Sequence, residues 1–535
     1  MDSRRVWTIY VALLFGTFIT VEAAAFQAPA LPSLTRHFGI SINLAATILI
    51  MYSLGMTVFA PIMGRLGDQI GRKRVLLAGM LGFSISEVIA ATALNFPVFL
   101  TARFLQGLGV ACIVPAVYAY IGHLFPEHKR GMALGIFAMT MTLGAASGGL
   151  LGGLLIDHYG WPSIYWISGA LAFGGILPVA ILVPDLRSTQ TRVRFDLKGA
   201  LCLFVTIGTL LSLPTWIGNF GLRSLYTAGV FATGIFGLIM LWRSSQRAAA
   251  PVVDTAILRR RAFALPTAIY WLHLMAFTGL VYALAFFING RPGGSASQFG
   301  FVALVLYGSS MLSSPLAGRV IDRFAKPRTV SICSLAGTLL ALVALVNVQL
   351  DSSLWVIAVI ACLLGMMMGS NGPAVMKLAI GAVPADKLGA GTGLFSMLRD
   401  LGPSTGSSFS LAAFSISLAI HSWRAVQERV HEVGISDGML DQLADAVANK
   451  GQDASPALVE HLQARGIELA ELLRQVNVDS LATTLSNVGY LLALPIGLAL
   501  LLSFALDKGA GRNNASPQDV PRSVRRTSGV MPADT

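Results

Sequence analysis

The sequence predicts an all-α polytopic membrane protein: fourteen transmembrane helices in two pseudo-symmetric six-helix bundles, with two extra helices between them. Three observations carry this. Of 535 residues, 55% are hydrophobic and 12% charged, about half the charged share of a soluble domain, which excludes an ordinary soluble enzyme. Apolar runs of about 20 residues recur along the chain, the length a helix needs to cross a bilayer. Two loop patterns from the first half return in the second.

In order, the apolar segments fall at 6–29, 44–63, 75–94, 97–121, 132–155, 163–183, 199–218, 224–242, 263–288, 299–321, 329–349, 353–376, 389–420 and 486–506. The first follows Arg4 and Arg5 and ends in Glu22-Ala-Ala-Ala25, an imitation of a signal peptide that the charge pattern favours as an uncleaved helix. An even number of spans puts both termini on one side. Most of the 38 Lys and Arg lie on the loops and tails of that side, so the expectation is a multi-pass protein of the cell (inner) membrane with N- and C-termini cytoplasmic. A net charge of +12 comes without a basic, aromatic-interleaved stripe, and no nucleic acid is expected. Cys112, Cys202, Cys333 and Cys362 sit in apolar runs without paired spacing, so neither disulfide nor metal is expected.

The expected units are a six-helix bundle at 1–184, two linker helices with basic flanks at 185–262, a second bundle at 263–506, and a disordered cytoplasmic tail at 507–535. Within the second bundle, 421–485 is a long outside loop. Its patterns Met439, Leu440, Leu443, Val447 and Leu469, Leu472, Leu473, Val476 read as short amphipathic helices, either a docking platform, a lid or a solvated excursion.

The loop repeat is specific. Between the second and third spans stands Gly64-Arg-Leu-Gly-Asp68-Gln-Ile-Gly71-Arg72-Lys73-Arg74, and between the tenth and eleventh Gly318-Arg-Val-Ile-Asp322. Pro126-Glu-His-Lys-Arg-Gly131 after the fourth span is matched by Pro384-Ala-Asp-Lys-Leu-Gly389 after the twelfth. Six helices, two extra, then six related to the first is a transporter layout, two bundles rocking around a site at their interface. Gly64 and Gly71 permit a tight turn, Asp68 can face a helix N-terminus, and Arg72 and Lys73 can anchor to the inner leaflet.

These residues resemble the major facilitator superfamily, and within it the fourteen-helix drug:proton antiporter family. The first loop is similar to the superfamily's Gly-x3-Asp-x2-Gly-Arg-Lys signature. Leu100-x2-Arg103-x2-Gln106-Gly107 resembles the family's arginine motif, and Gly135-x8-Gly144-x3-Gly148-Gly149-x2-Gly152-Gly153 its antiporter motif, with Gly149 where that pattern has Pro. Arg399-Asp400-Leu-Gly402-x3-Gly406 resembles a pattern of the thirteenth helix. The resemblance implies the major facilitator fold and proton-coupled export of small, lipophilic or cationic compounds by alternating access. The alternative on the same fold is a proton-coupled importer or exporter of one metabolite. A periplasmic adaptor protein is a further partner the resemblance allows, beside protons, small-molecule substrate and the bilayer.

Only three acids lie within spans: Glu22, Glu87 and Asp400. Each is costly in lipid unless paired, neutralised or wet. At about 1.5 Å per residue, Glu22 and Arg103 both lie roughly 10 Å below the outer face, where they could pair. The expected proton-coupling residues are therefore Glu22, Arg103, Asp400 and Arg399. Because Arg399 and Asp400 are adjacent, about 100° apart on a helix, they are expected not to face each other, one lining the cavity while the other finds a different partner. Glu87 sits on a helix that the resemblance makes outer scaffold. Tyr52, Gln106, Trp216, Tyr270, Tyr282, Phe286, Asn289, Tyr307 and Asn371 are the expected cavity residues, an aromatic and sparsely polar set. No Ser-His-Asp or His-Glu-x-x-His arrangement is present, so neither catalytic residues nor a cofactor are expected.

Overall fold

The computed structural model describes residues 3–185, 196–248, 251–324, 326–383, 388–433 and 468–506. The expectations for Met439 to Val447 and for the tail 507–535 lie outside the described residues, as do the side chains of Asp68 and Asp322.

The described regular structure is helical throughout: α1 (Ser3–Ala25), α2 (Gln27–Phe38), α3 (Ile42–Ile70), α4 (Arg72–Ala91), α5 (Phe96–Leu124), α6 (Glu127–Tyr159), α7 (Pro162–Leu182), α8 (Leu197–Phe220), α9 (Leu225–Arg247), α10 (Thr255–Leu258), α11 (Arg261–Gly290), α12 (Ala296–Phe324), α13 (Pro327–Leu345), α14 (Leu354–Gly381), α15 (Leu388–Val433) and α16 (Leu469–Ser503). Lipid offers the backbone no hydrogen bonds, so a chain this apolar must satisfy them within helices. Thirteen described helices are long and apolar enough to cross a membrane, and each coincides with an expected span. The remaining expected span, 389–420, falls on α15. Its run of hydroxyls makes it less apolar, and Thr405, Ser407 and Ser408 turn theirs back onto carbonyls of the preceding turn at 2.9 to 3.0 Å.

The first expected span, 6–29, is divided between two helices, α1 ending at Ala25 and α2 starting at Gln27. Pro29 cannot donate to the carbonyl of Ala25, which breaks the helix at Phe26, and the chain resumes as α2 until Gly39, at φ +63°, ends it. The first repeated loop is short. Gly71, at φ +109°, is the hinge between α3 and α4, and a Cβ there would stand 2.6 Å from Asp185 Oδ1.

Helices α1 and α3 to α7 pack on one another, as do α11 to α16, and the two groups meet along α6 with α12 and α3 with α15. Helix α8 lies over both α3 and α15, with α9 on its far side. Asn43 fastens α8 to α3, donating to the Thr215 carbonyl at 2.7 Å and to Asn219 Oδ1 at 2.8 Å. Side chains such as Phe173, Ile181, Leu225, Phe236, Leu340 and Trp355 are exposed, an apolar surface suited to lipid. The loop Gly64 to Arg74 marks the basic end of the molecule.

Candidate functional site

Between the two groups of helices lies a cavity of about 1230 Å³, larger than a drug-sized pocket requires. Its deep wall holds Leu49, Tyr52, Arg103, Phe299 and Ala303, and it extends to Gly64, Gly67, Arg72, Pro251, Asp254 and Ile380 at the basic end. Toward the opposite end the halves close. There α2 packs against α3, α6, α11 and α12, and α6 runs against α12.

Helix α6 works as a wedge because its glycines fall on two faces. Gly144, Gly148 and Gly152 recur every four residues, so they share a face, and they press on α1: added Cβ atoms would stand 3.0 Å from the Phe18 carbonyl, 2.7 Å from that of Glu22 and 2.7 Å from Phe26 Cδ1. Gly149 and Gly153 face α12 instead. A Cβ on Gly149 would come to 2.8 Å from Ala303 Cβ, and one on Gly300 to 2.6 Å from the Gly149 carbonyl. Small residues let membrane helices approach this closely. With glycine rather than proline at 149, α6 runs unbroken from Glu127 to Tyr159.

The charged residues are arranged differently from expectation. Glu22 is buried (4% exposed) on α1 against the α6 glycines, is absent from the cavity wall, and makes no ion pair among the described residues. Arg103 does not pair with it. The Arg103 guanidinium, 1% exposed, lies 4.6 Å from the centre of the Tyr52 ring, a cation–π contact, donates to Gln106 Oε1, and reaches the Ile48 carbonyl at 3.5 Å. Glu87 is buried between α4 and α7, where Ser168 Oγ lies 2.9 Å from its Oε2 while Oε1 has no hydrogen-bond partner among the described residues. Equal depth along two helices says nothing about their rotation, which is why the Glu22–Arg103 pairing does not form here.

Arg399 and Asp400 correct the sequence reading. Both line the cavity, and they pair with each other, Nε to Oδ1 and Nη2 to Oδ1 each at 2.8 Å. The long arginine side chain swings back across the 100° that separates the two Cβ atoms. Glycines behind them bring α15 onto α11: a Cβ on Gly402 would stand 2.9 Å from Leu274 Cβ.

Of the expected cavity residues, Tyr52, Tyr282 and Tyr307 line the wall. The others lie elsewhere. Gln106 is fully buried under Arg103, and Trp216 stacks on Phe220 at 5.2 Å within α8. Tyr270 stacks on Phe395 at 6.1 Å, Phe286 packs on Phe414 at 5.7 Å, and Asn289 donates to the Ala285 carbonyl. Asn371 belongs to a buried network: it meets His273 Nδ1 at 2.8 Å and accepts from Ser331 at 2.7 Å, while Thr338 lies 3.1 Å from His273 Nε2. Sequence reasoning missed Ser53 and Ser404, bonded at 2.6 Å across α3 and α15, and the segment at Pro251, Val252 and Asp254 in the cavity wall. Asp254 left a signal in the sequence, an Asp before a short apolar run, and it caps α10. Among the described residues no cluster of His, Cys, Asp and Glu has the makings of a metal site.

Comparison with known proteins bears on this architecture. The family model described as Major Facilitator Superfamily matches residues 13–290 and 266–426. The chain is 28% identical over 495 residues to the multidrug resistance protein Stp of Mycobacterium tuberculosis, covering 90% of each. It is 26% identical over 523 residues to the methyl viologen resistance protein SmvA of Salmonella typhimurium, covering 95% of this chain and 100% of that one. Among solved structures, a bacterial homolog to the human lysosomal transporter Spinster, inward-facing and unoccupied, superposes with a TM-score of 0.65 at 14% identity, over 95% of this chain and 98% of that chain.

Proposed function

The chain belongs to the major facilitator superfamily, and from that membership we propose that it exports small lipophilic compounds by alternating access, driven by protons moving the other way. The observation that carries the proposal is the cavity itself. It is large, reaches one end of the molecule, and ends at a dry glycine seam toward the other. With the basic end in the cytoplasm, by the positive-inside rule, this is a state that loads cargo from inside. Relatives named for drug and methyl viologen resistance support export.

The wall is aromatic and aliphatic, and its charged members among the described residues are Arg72, Arg103, Arg399, Asp254 and Asp400. A wall of this kind favours lipophilic cargo, neutral or cationic. In this reading Glu22 carries the proton. A buried carboxyl without an ion-pair partner among the described residues, seated on the gliding face of α6, gains or loses a charge that α6 must accommodate by moving. Arg103, Arg399 and Asp400, in the cavity wall, are the further coupling residues of this reading, and Asp68 holds the basic end once it closes.

The test is transport by purified protein in liposomes with the basic end exposed. Accumulation of lipophilic dyes that rises with an acid interior and collapses with a protonophore supports the proposal. Accumulation indifferent to the gradient across a panel of neutral and cationic compounds overturns proton coupling.

A further inference from the structure

One carboxylate joins the two halves at the end away from the basic loops. Asp157 stands in the last turn of α6, and its oxygens accept from the Ala296 amide at 3.3 Å, the Ser297 amide at 2.8 Å and the Ser297 hydroxyl at 2.5 Å. Ala296 and Ser297 are the first two residues of α12. Amides in the first turn of a helix have no partner within it. Ser295, just before α12, satisfies Gln298 N at 3.2 Å, and Asp157, from the other half of the molecule, takes the two amides that Ser295 leaves.

For α6 alone the placement is poor. A carboxylate in the last turn sits at the negative end of the helix dipole, where cations are favoured. The N-terminus of α12 reverses that field, so Asp157 is well placed only while the two helices touch. Along the rest of the seam the contact is backbone on backbone. A Cβ on Gly153 would stand 3.0 Å from Ser297 Cα, and one on Gly300 would stand 2.9 Å from Leu150 Cα. The Asp157 bonds are charge-assisted, made across the seam, and broken by any separation of α6 from α12.

We propose that Asp157 is a positioning residue of the transport cycle, the latch that holds the seam of α6 and α12 shut while the cavity is open at the basic end. The inference rests on the alternating-access reading above. Opening the far side requires Asp157 to exchange Ala296 and Ser297 for water. Because the bonds lie at the rim, water replaces them readily, which makes the latch reversible within a cycle.

The experiment reads conformation, not transport. Ser407 lines the cavity, and a Ser407→Cys reporter is placed in the full chain after Cys112, Cys202, Cys333 and Cys362 are replaced. A membrane-impermeant maleimide is then applied separately from each face of the membrane. Asp157→Ala should raise labelling from the far face about three- to tenfold and lower it from the basic face, the range expected for losing a few charge-assisted bonds at a wet site. Ser297→Ala, which removes only the hydroxyl donor, should give a smaller shift in the same direction. A Cys pair at Asp157 and Ser297, once oxidised, should abolish far-face labelling until reduced. Unchanged labelling in Asp157→Ala, with the protein inserted at normal yield, overturns the latch. If labelling shifts but no compound is transported, the latch stands and the export reading falls; if gradient-driven transport persists with labelling unmoved, export stands and the latch falls.

Discussion

The two places where the halves meet rest on different physics. Helices α6 and α12 touch through Gly149, Gly153, Ala296, Gly300 and Ala303, so close that no added Cβ fits at the glycines. Dispersion holds such a seam and falls off steeply with separation, so it is either closed or open. Helices α3 and α15 instead meet through hydroxyls, Ser53 and Ser404, beside cavity residues Tyr52, Met56, Thr57 and Ser407. Hydroxyls can trade one another for water or a neighbouring carbonyl as the helices tilt, at little cost. The comparison teaches how one interface can act as a lid while the other stays in contact and serves as a pivot.

The sharpest break is at the lid. Gly153→Val sets a branched side chain against the Ala296 carbonyl, and overpacking of this kind costs about 1–3 kcal/mol. The closed seam should be depopulated by as much as about 100-fold at the upper figure. Far-face labelling of the Ser407→Cys reporter checks it, and wild-type labelling would remove the lid from the account. The other face of α6 comes next. Glu22→Gln should abolish the stimulation of transport by a pH gradient while leaving binding of a fluorescent substrate within about threefold, a loss under 0.7 kcal/mol. Proton release on substrate addition to detergent-purified protein decides this. Equal release from wild type and variant moves the carrier to Asp400 or Glu87.

A smaller effect is expected away from both seams. Gly71→Ala forces a side chain to φ +109° and against Asp185, a strain of about 1–3 kcal/mol spread over the α3–α4 turn. It should lower the melting temperature of the purified protein and slow transport without changing the pH dependence. An altered pH profile would tie this loop to the proton rather than to the gate. Least of all should come from the pivot. Ser404→Ala removes a neutral hydroxyl that bonds Ser53 at 2.6 Å and lies 3.3 Å from the Asp400 carbonyl, a loss of about 0.5–1.5 kcal/mol per bond, and turnover should stay within about twofold. A loss as large as that of Gly153→Val would erase the distinction between lid and pivot.

How far the site was legible follows from the reach of each interaction. The α6 glycines were readable as a stripe because spacing on a helix is local. That the stripe has two faces, Gly144, Gly148 and Gly152 toward α1 and Gly149 and Gly153 toward α12, depends on where the neighbours stand. Arg399 and Asp400 were misread because a rule for Cβ directions was applied to a side chain long enough to override it. Asn371 looked like a cavity amide, yet it completes a network with His273, Ser331 and Thr338 whose members come from three helices. Asp157 did leave a signal, an acid against the dipole of its own helix, and such a local conflict points to a distant partner.

The sequence by itself determined that the chain is helical and polytopic, where thirteen of its spans run, that it is built from two related halves, and which buried charges need an explanation. Those properties follow from hydropathy, backbone hydrogen bonding and local spacing, which act within a few residues along the chain. Only the tertiary structure decided that Arg103 stacks on Tyr52 rather than pairing with Glu22, that the cavity reaches the basic end, and that Asp157 caps a helix from the opposite half. Each depends on the rotation of one helix against another, and in a bilayer that rotation is set by packing between helices, to which hydropathy is blind.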